Sequence, residues 1–512
     1  MAPALAFSLM LTSCEKDVVE LDPFDRITEE TAFESPARVE LSVAGVYDAA
    51  QSGFYAGGAV RGYPFGAANV EQGDNRGEDV LNLAAFYQIT YESTYNPATA
   101  NNQYMWETLY SLINKANVVI EGVEGAAAKN VITADKAKVY LGELRFLRAM
   151  AHHELVTHFA RPYNHTADAS HLGVPYRTIA VNTPTRVEEA SKQGRDSVKE
   201  VYNLILADLQ FAEDNLLETQ TLKLTRATKG AAIALKTRVL LHKGDWANVV
   251  TEANKIVSGT TTFTSPIGGY ALTATPEGPF AGNKANTESM FSIENSATDN
   301  AGTNGALPQM YSVSPARALV AISPIIWNAS FWPADDLRRT QLTKQATTGY
   351  FFSNKYRDIK DWSDNTPIIR YAEVLLNKAE AHARLNQPLE ATALLNAVRG
   401  RATSQLQIGL VGDALIQAII NERRIEFLSE GLRWKDIHRL AVEGKFGPAG
   451  IPAKVAPSTT TKADYAAASG SVRAGAISLP AIPYENFKFI WPIPITEIAS
   501  NPVLREQQNP GY

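Results

Sequence analysis

Three sets of residues have types and spacings that could do chemistry. The first is His152, His153, Glu154 and His158. A zinc-hydrolase helix needs two histidines at i and i+4 on one face, with a glutamate as general base. Here the second histidine falls at i+5, rotated off that face, and His152 adds no competent third ligand. These read as packing and helix-end histidines, and no metal is expected. The second set is Glu422, Glu426 and Glu430, at i, i+4 and i+8. A glycosidase needs two carboxyls facing each other across a cleft, about 5 to 10 Å apart. Carboxyls on one helix stripe point the same way and cannot flank a bond. Arg423, Arg424, Arg433 and Arg439 lie close by, so the stripe reads as structural ion pairs. A hydrolase acting through Glu422 is the weaker reading. No nucleophile elbow, phosphate loop, dinucleotide fingerprint or Cys–His pair occurs. No catalytic residue and no cofactor is expected.

The third set is aromatic. Tyr91, Tyr95 and Asn96 lie in TYESTYN, and Asp74, Asn75 and Arg76 in GDNR. Trp327, Asn328, Phe331 and Trp332 lie in WNASFW, downstream of Tyr311. A sugar has an apolar C–H face and a polar rim. It is bound by flat rings with amide or charged groups beside them. This pattern points to carbohydrate recognition, with these residues as candidate contacts.

The elements that must position them are mostly helical. Ser35-Pro36 is a start signal for a helix with Val39, Val43, Val46 and Tyr47 on its apolar face. Residues 52–105 show no sustained period and read as long loops. Helices are expected over 106–123, 135–158 and 197–217. Residues 225–242 and 245–257 form a hairpin around Lys243-Gly244-Asp245. From Tyr371, apolar residues recur at Val374, Leu375, Ala379, His382 and Ala383. Asn386-Gln387-Pro388 breaks the pattern, which restarts at Ala391, Leu394, Leu395 and Val398. Two helices so closely joined pack as an antiparallel pair. The two hairpins align, Gly244 with Asn386 and Val249 with Ala391, as degenerate tetratricopeptide-type units at irregular distance. Residues 259–365 are the longest non-periodic stretch, which in a compact fold argues for function.

The chain has 512 residues, 45% hydrophobic and 20% charged, with a formal net charge of -6. It carries no long basic run, which argues against nucleic acid. No apolar run reaches the roughly 18 residues of a membrane span. The only cysteine, Cys14, follows the apolar segment 1–11 in the context Leu11-Thr12-Ser13-Cys14. That segment suits a signal peptide, although no Lys or Arg precedes it. Leu-Thr-Ser-Cys is similar to a bacterial lipobox, with Cys14 as the acylated first residue of the mature chain. Each buried CH₂ of an acyl chain contributes about 0.8 kcal/mol, so two or three chains anchor where one does not.

The chain resembles the SusD/RagB family of outer-membrane nutrient-binding lipoproteins. The resemblance rests on Cys14, on LRFLRAMAHHELVTHFARPY followed by LGVPYRT, on Arg370 to Leu376 running into Ala379-Glu380-Ala381, on NERRIEFLSEGLRWKDIHRL (421–440), and on WPIP to NPGY at the end. It implies a mostly α fold with about four tetratricopeptide-like helix pairs in a right-handed scaffold, little strand and a loop-rich ligand face. It also implies an organisation of signal peptide 1–13, lipidated tether 14–21, helical region 22–258, aromatic loop-rich insertion 259–365 and C-terminal region 366–512, with 22–512 as one compact unit. The implied function is capture of an oligosaccharide, or in some relatives a peptide, and delivery to a SusC-like TonB-dependent transporter at the outer membrane. Ligand contacts in the family come from loops before the helix of Trp106 and from the insertion, without a fixed motif.

Overall fold

The computed structural model describes residues 31–222 and 224–512. Cys14, the signal peptide and the tether lie outside the described residues.

Helix starts follow local chemistry. The Ser35 hydroxyl accepts from the Arg38 amide at 3.4 Å, and Pro36 opens α1 (Pro36–Gln51). Pro36 lacks the N–H that a first-turn residue would leave unpaired. Then come α2 (Ala67–Asn75), α3 (Ala100–Ala128), α4 (Ala134–Phe159) and α5 (Val198–Asn215). Thr133 and Ser197 cap α4 and α5 through their hydroxyls. Helices α6 (Lys229–Lys243) and α7 (Trp246–Asn254) form one hairpin, α8 (Tyr371–Arg384) and α9 (Pro388–Arg399) another. The signature block forms the end of α10 (Gly412–Glu426) and all of α11 (Arg433–Leu440).

The helices pack as a layered series. α4 lies between α3 and α5, α6 between α5 and α7, and α8 contacts α6, α7, α9 and α10. The two hairpin turns are equivalent in backbone as well as position. Gly244 has φ +72° and Asn386 φ +58°. Only Gly, and Asn among the larger residues, enters this left-handed region at low cost. One hydrophobic core runs from Val39 on α1 through Leu147 and Leu375 to Leu504 near the C-terminus.

Two regions expected to be loops hold more structure. Residues 52–105 contain α2 and a short strand, β1 (Val80–Asn82), and α3 begins at Ala100, before Trp106. All nine residues of α2 are buried. Its buried residues include Asn69, Glu71, Gln72, Asp74 and Asn75, so no apolar stripe marks it in the sequence. The insertion holds β2 (Ser289–Ile293), β3 (Val320–Ile322), β4 (Thr343–Gln345) and β5 (Phe351–Ser353), with β6 (Thr366–Arg370) just beyond. β2 pairs with β6, and β1, β3, β5 and β4 form an antiparallel sheet in that order. Val80 faces Ile322 across β1 and β3, so the insertion is tied to the segment that follows α2. The strands are three to five residues long. The chain is thus mostly helical with little strand.

Candidate functional site

The sequence candidates fall mainly inside the molecule. Asp74 ends α2 with its carboxylate accepting from the Tyr311 hydroxyl at 2.7 Å and the Gly431 amide at 3.0 Å. Burial pushes its carboxyl up to about 7, against the opposing effect of those hydrogen bonds. Asn75 is fully buried. The Arg76 guanidinium sits 3.3 Å over the Trp434 ring and donates to the Phe489 carbonyl, with His158 Nδ1 at 3.2 Å. The Tyr91 hydroxyl donates to the Val455 carbonyl at 2.7 Å, and that of Tyr95 to the Lys488 carbonyl. Trp327 stacks on Phe351 at 3.7 Å, meets Trp332 edge-on at 5.5 Å, and is 6% exposed. Asn328 donates to the carbonyls of Asp464 and Ser471 and accepts from the Ala466 amide, clamping the insertion to a C-terminal loop.

These side chains therefore hold the loops and do not face solvent. This corrects the expectation that Trp327, Asn328, Trp332, Tyr311, Tyr91, Tyr95, Asp74, Asn75 and Arg76 line an open ligand face. The reason is a second small core. Tyr311, Ile322, Trp327, Trp332 and Ile425 pack together beneath the insertion. Segments without a helical period still need buried apolar area, and large rings supply the most per residue. Phe331 remains half-buried beneath Arg424, and Asn96 is exposed, its side-chain oxygen accepting from the Ala98 amide.

A different aromatic group faces outward. It joins the loop after α1, the turn after β1 and the first turns of α3. Tyr55 lies 4.4 Å from Tyr104 and 5.6 Å from Phe86, and Phe54 meets Tyr104 edge-on at 6.2 Å. Phe54 is 40% exposed, while Tyr55, Phe86 and Tyr104 are half-buried. Gly53 makes this possible: its φ is +54° and a Cβ there would run into the Tyr63 carbonyl. The chain passes flush against Tyr63 and turns the next two rings outward. The Arg61 guanidinium lies 4.6 Å over Tyr55 and 4.4 Å over Phe86. It makes no hydrogen bond or ion pair among the described residues, and its Nε is buried without an acceptor. Sequence inspection missed this group because its members, Phe54, Tyr55, Arg61, Phe86 and Tyr104, come from three elements. The signal available was Phe54-Tyr55 followed by Gly57-Gly58, an aromatic pair before a flexible turn.

Behind the cluster lies Glu71 on α2. Its carboxyl is fully buried against the Tyr87 hydroxyl, whose interaction opposes the push of burial. Burial pushes this carboxyl up to about 8, so it is mostly neutral at pH 7. Arg317 and Arg61 are both near enough to oppose that shift.

The carboxylate stripe is fully engaged. Glu422 reaches Arg338 at 2.7 Å and Arg399 at 2.8 Å. Glu426 reaches Arg401, Arg370 and Arg338 at 2.6, 2.8 and 3.0 Å. Glu430 is held by Lys355 and Arg370. Arg370, Arg401 and Arg338 hold Glu426 ionised, well below the usual carboxylate range, despite burial. Such a group is a poor general acid. The candidate zinc histidines are also interior. His158 contacts Glu154 at 3.1 Å, and burial lowers it to about 4. Among the described residues, no three His, Cys, Asp or Glu converge on a possible metal position.

Cavities lie away from this cluster. The one beside the C-terminal tail, about 470 Å³, is bordered by Arg161, His165, Tyr484 and Phe487. There Arg161 donates to the carbonyls of Tyr484 and Asn486, and Tyr484 bonds His165 at 2.7 Å. Phe487 is packed on Tyr512. The outward cluster holds rings and a guanidinium whose Nε is buried without an acceptor.

Comparison with known proteins fits this architecture. The profile described as the SusD family matches residues 335–512, and one described as starch-binding associating with outer membrane matches residues 36–241. The chain belongs to the SusD-like family. SusD-like protein P38 of Formosa agariphila is 25% identical over 480 residues, covering 84% of this chain and 88% of that protein. The crystal structure of a SusD superfamily protein from Bacteroides fragilis superposes with a TM-score of 0.75 at 27% identity, over 92% of this chain and 99% of that one. A laminarin-binding SusD-like protein superposes with a TM-score of 0.66 at 21% identity, over 94% and 100%. The tetratricopeptide-like hairpins thus form a SusD-like frame. The outward aromatic cluster sits at one side of it, and no helix of the described residues is long and apolar enough to cross a membrane.

Proposed function

We propose that this SusD-like protein is a cell-surface lipoprotein that binds an oligosaccharide without turning it over and passes it to a SusC-like TonB-dependent transporter. The observation that carries the reading is the outward cluster of Tyr55, Phe86, Tyr104 and Arg61. Its rings offer apolar platforms for sugar C–H faces, and Arg61 offers unsatisfied N–H donors for the polar rim. The laminarin-binding relative supports carbohydrate as the ligand class. The engaged carboxylates support binding over hydrolysis. Lipid attachment at Cys14 would hold the protein at the outer membrane, and the rigid helical frame would face the transporter.

The test is calorimetric titration with a panel of neutral and acidic oligosaccharides and of peptides, together with product analysis of every mixture. Saturable glycan binding, at least ten-fold weaker in Tyr55→Ala and Tyr104→Ala and without released product, is expected. Peptide binding in place of glycan binding, or unchanged affinity in both variants with loss in Phe487→Ala, would overturn the ligand class or the site.

A further inference from the structure

We propose that the aromatic face selects an acidic glycan, with a carboxylate or sulfate of the sugar received by Arg61 and Arg317 as a second contact. This rests on the glycan reading above and specifies its chemistry. The Arg61 guanidinium lies against two rings, Tyr55 and Phe86, which meet edge-on at 75°, and cation–π contacts fix its position. A guanidinium offers a planar fork of N–H donors, which matches the paired oxygens of a carboxylate or sulfate. Many frame arginines already have such a partner, as Arg370 has in Glu430 and Arg439 in Glu380. Arg61 has none among the described residues. A partly covered guanidinium with a buried, unbonded Nε is costly unless something completes it.

The surroundings supply no competing anion. Glu71, the carboxyl behind the cluster, is kept neutral by its burial and does not neutralise Arg61. Arg317 is exposed, and its hydrogen bond is to the Asn304 amide oxygen at 2.6 Å, not to a carboxylate. It is on the same side of the molecule, because Gly305 next to Asn304 touches Gly62 next to Arg61. Glu107 lies beyond Tyr104 and already accepts from Gln103 and Thr496. The whole chain carries a net charge of -6, so its long-range field repels polyanions. Selectivity for an acidic sugar must then come from local contact, which the Arg61 guanidinium at the ring platform supplies, with Arg317 on the same side of the molecule. A neutral sugar would leave Arg61 to hydroxyl partners alone, which bond it less strongly than an anion does.

Three probes of similar length separate the possibilities: oligogalacturonate for carboxylate, carrageenan oligosaccharide for sulfate, and laminari-oligosaccharide as the neutral control. Calorimetry on the wild-type protein is expected to give at least ten-fold tighter binding of one acidic probe than of the neutral one, with affinity falling as salt rises. Arg61→Gln should remove that advantage, and Arg61→Lys should restore part of it. Arg317→Gln, at an exposed position, should lower acidic affinity several-fold without changing the melting temperature. Equal affinity for neutral and acidic probes, unaltered in Arg61→Gln and Arg317→Gln, would overturn the acidic-glycan proposal and leave glycan binding standing. Failure of all three probes, and of the wider glycan panel, would remove both.

Discussion

Arg370 holds Glu430 with two hydrogen bonds, Nε to Oε2 at 2.8 Å and Nη2 to Oε1 at 2.7 Å. Arg370 ends β6, and Glu430 sits in the turn between α10 and α11. The pair is buried and is joined to Glu426, Glu288, Arg401 and Lys355. The most recognisable block of the sequence is therefore an ionic staple between the insertion and the helical frame. Removing one member leaves a charge buried without its partner. Glu430→Gln is expected to destabilise the protein by about 3–5 kcal/mol. Chemical denaturation checks this, and glycan affinity of the folded fraction should be unchanged.

The same ionic pairing sets the acid limit. Arg433 and Arg424 overcome burial to hold Glu78 at about 2, and Arg423 and Arg439 do the same for Asp436, also to about 2. Both lie below their unfolded values of 4.5 and 3.8. The unfolded chain takes up protons first as pH falls, so their contribution is complete above about pH 5 and is lost between there and pH 2. Melting temperature against pH should drop across that window. The double variant Glu78→Gln/Asp436→Asn should be less stable at neutral pH and show a shallower drop.

Glu71 works in the opposite sense. Its folded value of about 8 lies above the ordinary 4.5. The folded state binds the proton more tightly, so the contribution of Glu71 to stability is fullest below about pH 4.5 and declines as pH rises through 8. Glu71→Gln keeps the shape and removes the titration. Its stability relative to wild type should increase between pH 6 and 9, measured by denaturant unfolding.

Trp327 separates a packing role from a binding role. Its ring is covered by Phe351, and Trp332 and Arg339 contact it as well. Trp327→Ala is expected to cost about 3–5 kcal/mol and to leave glycan affinity unchanged. Calorimetry at low temperature, with denaturation alongside, distinguishes the two.

The hairpin turns give a test of the tetratricopeptide-like equivalence. Gly244 and Asn386 both have left-handed backbone, at φ +72° and +58°. Gly244→Ala and Asn386→Ala should each destabilise by about 1 kcal/mol, and Asn386→Gly should be close to neutral. Equal melting temperatures for the two alanine variants and wild type would contradict this.

What the sequence determined by itself was the frame. Ser35-Pro36, the apolar face of α5, and the Gly244 and Asn386 breaks are local signals; the face of α5 is readable because a half-exposed helix must alternate polar and apolar sides. α2 was silent because it is short and its buried residues include Asn69, Glu71, Gln72, Asp74 and Asn75, which break any apolar stripe. The ligand face was decided only by tertiary structure. Trp327 and Phe54 are both large rings in segments lacking a helical period, and nothing in their neighbours tells which one faces water. That depends on whether other chain segments cover the ring. Phe351 from a hairpin strand lies on Trp327, whereas Gly53 turns Phe54 outward to meet Tyr104 from a third element. Burial of a side chain is set by contacts distant in sequence, so the identity of the exposed aromatics emerges only when the chain has folded.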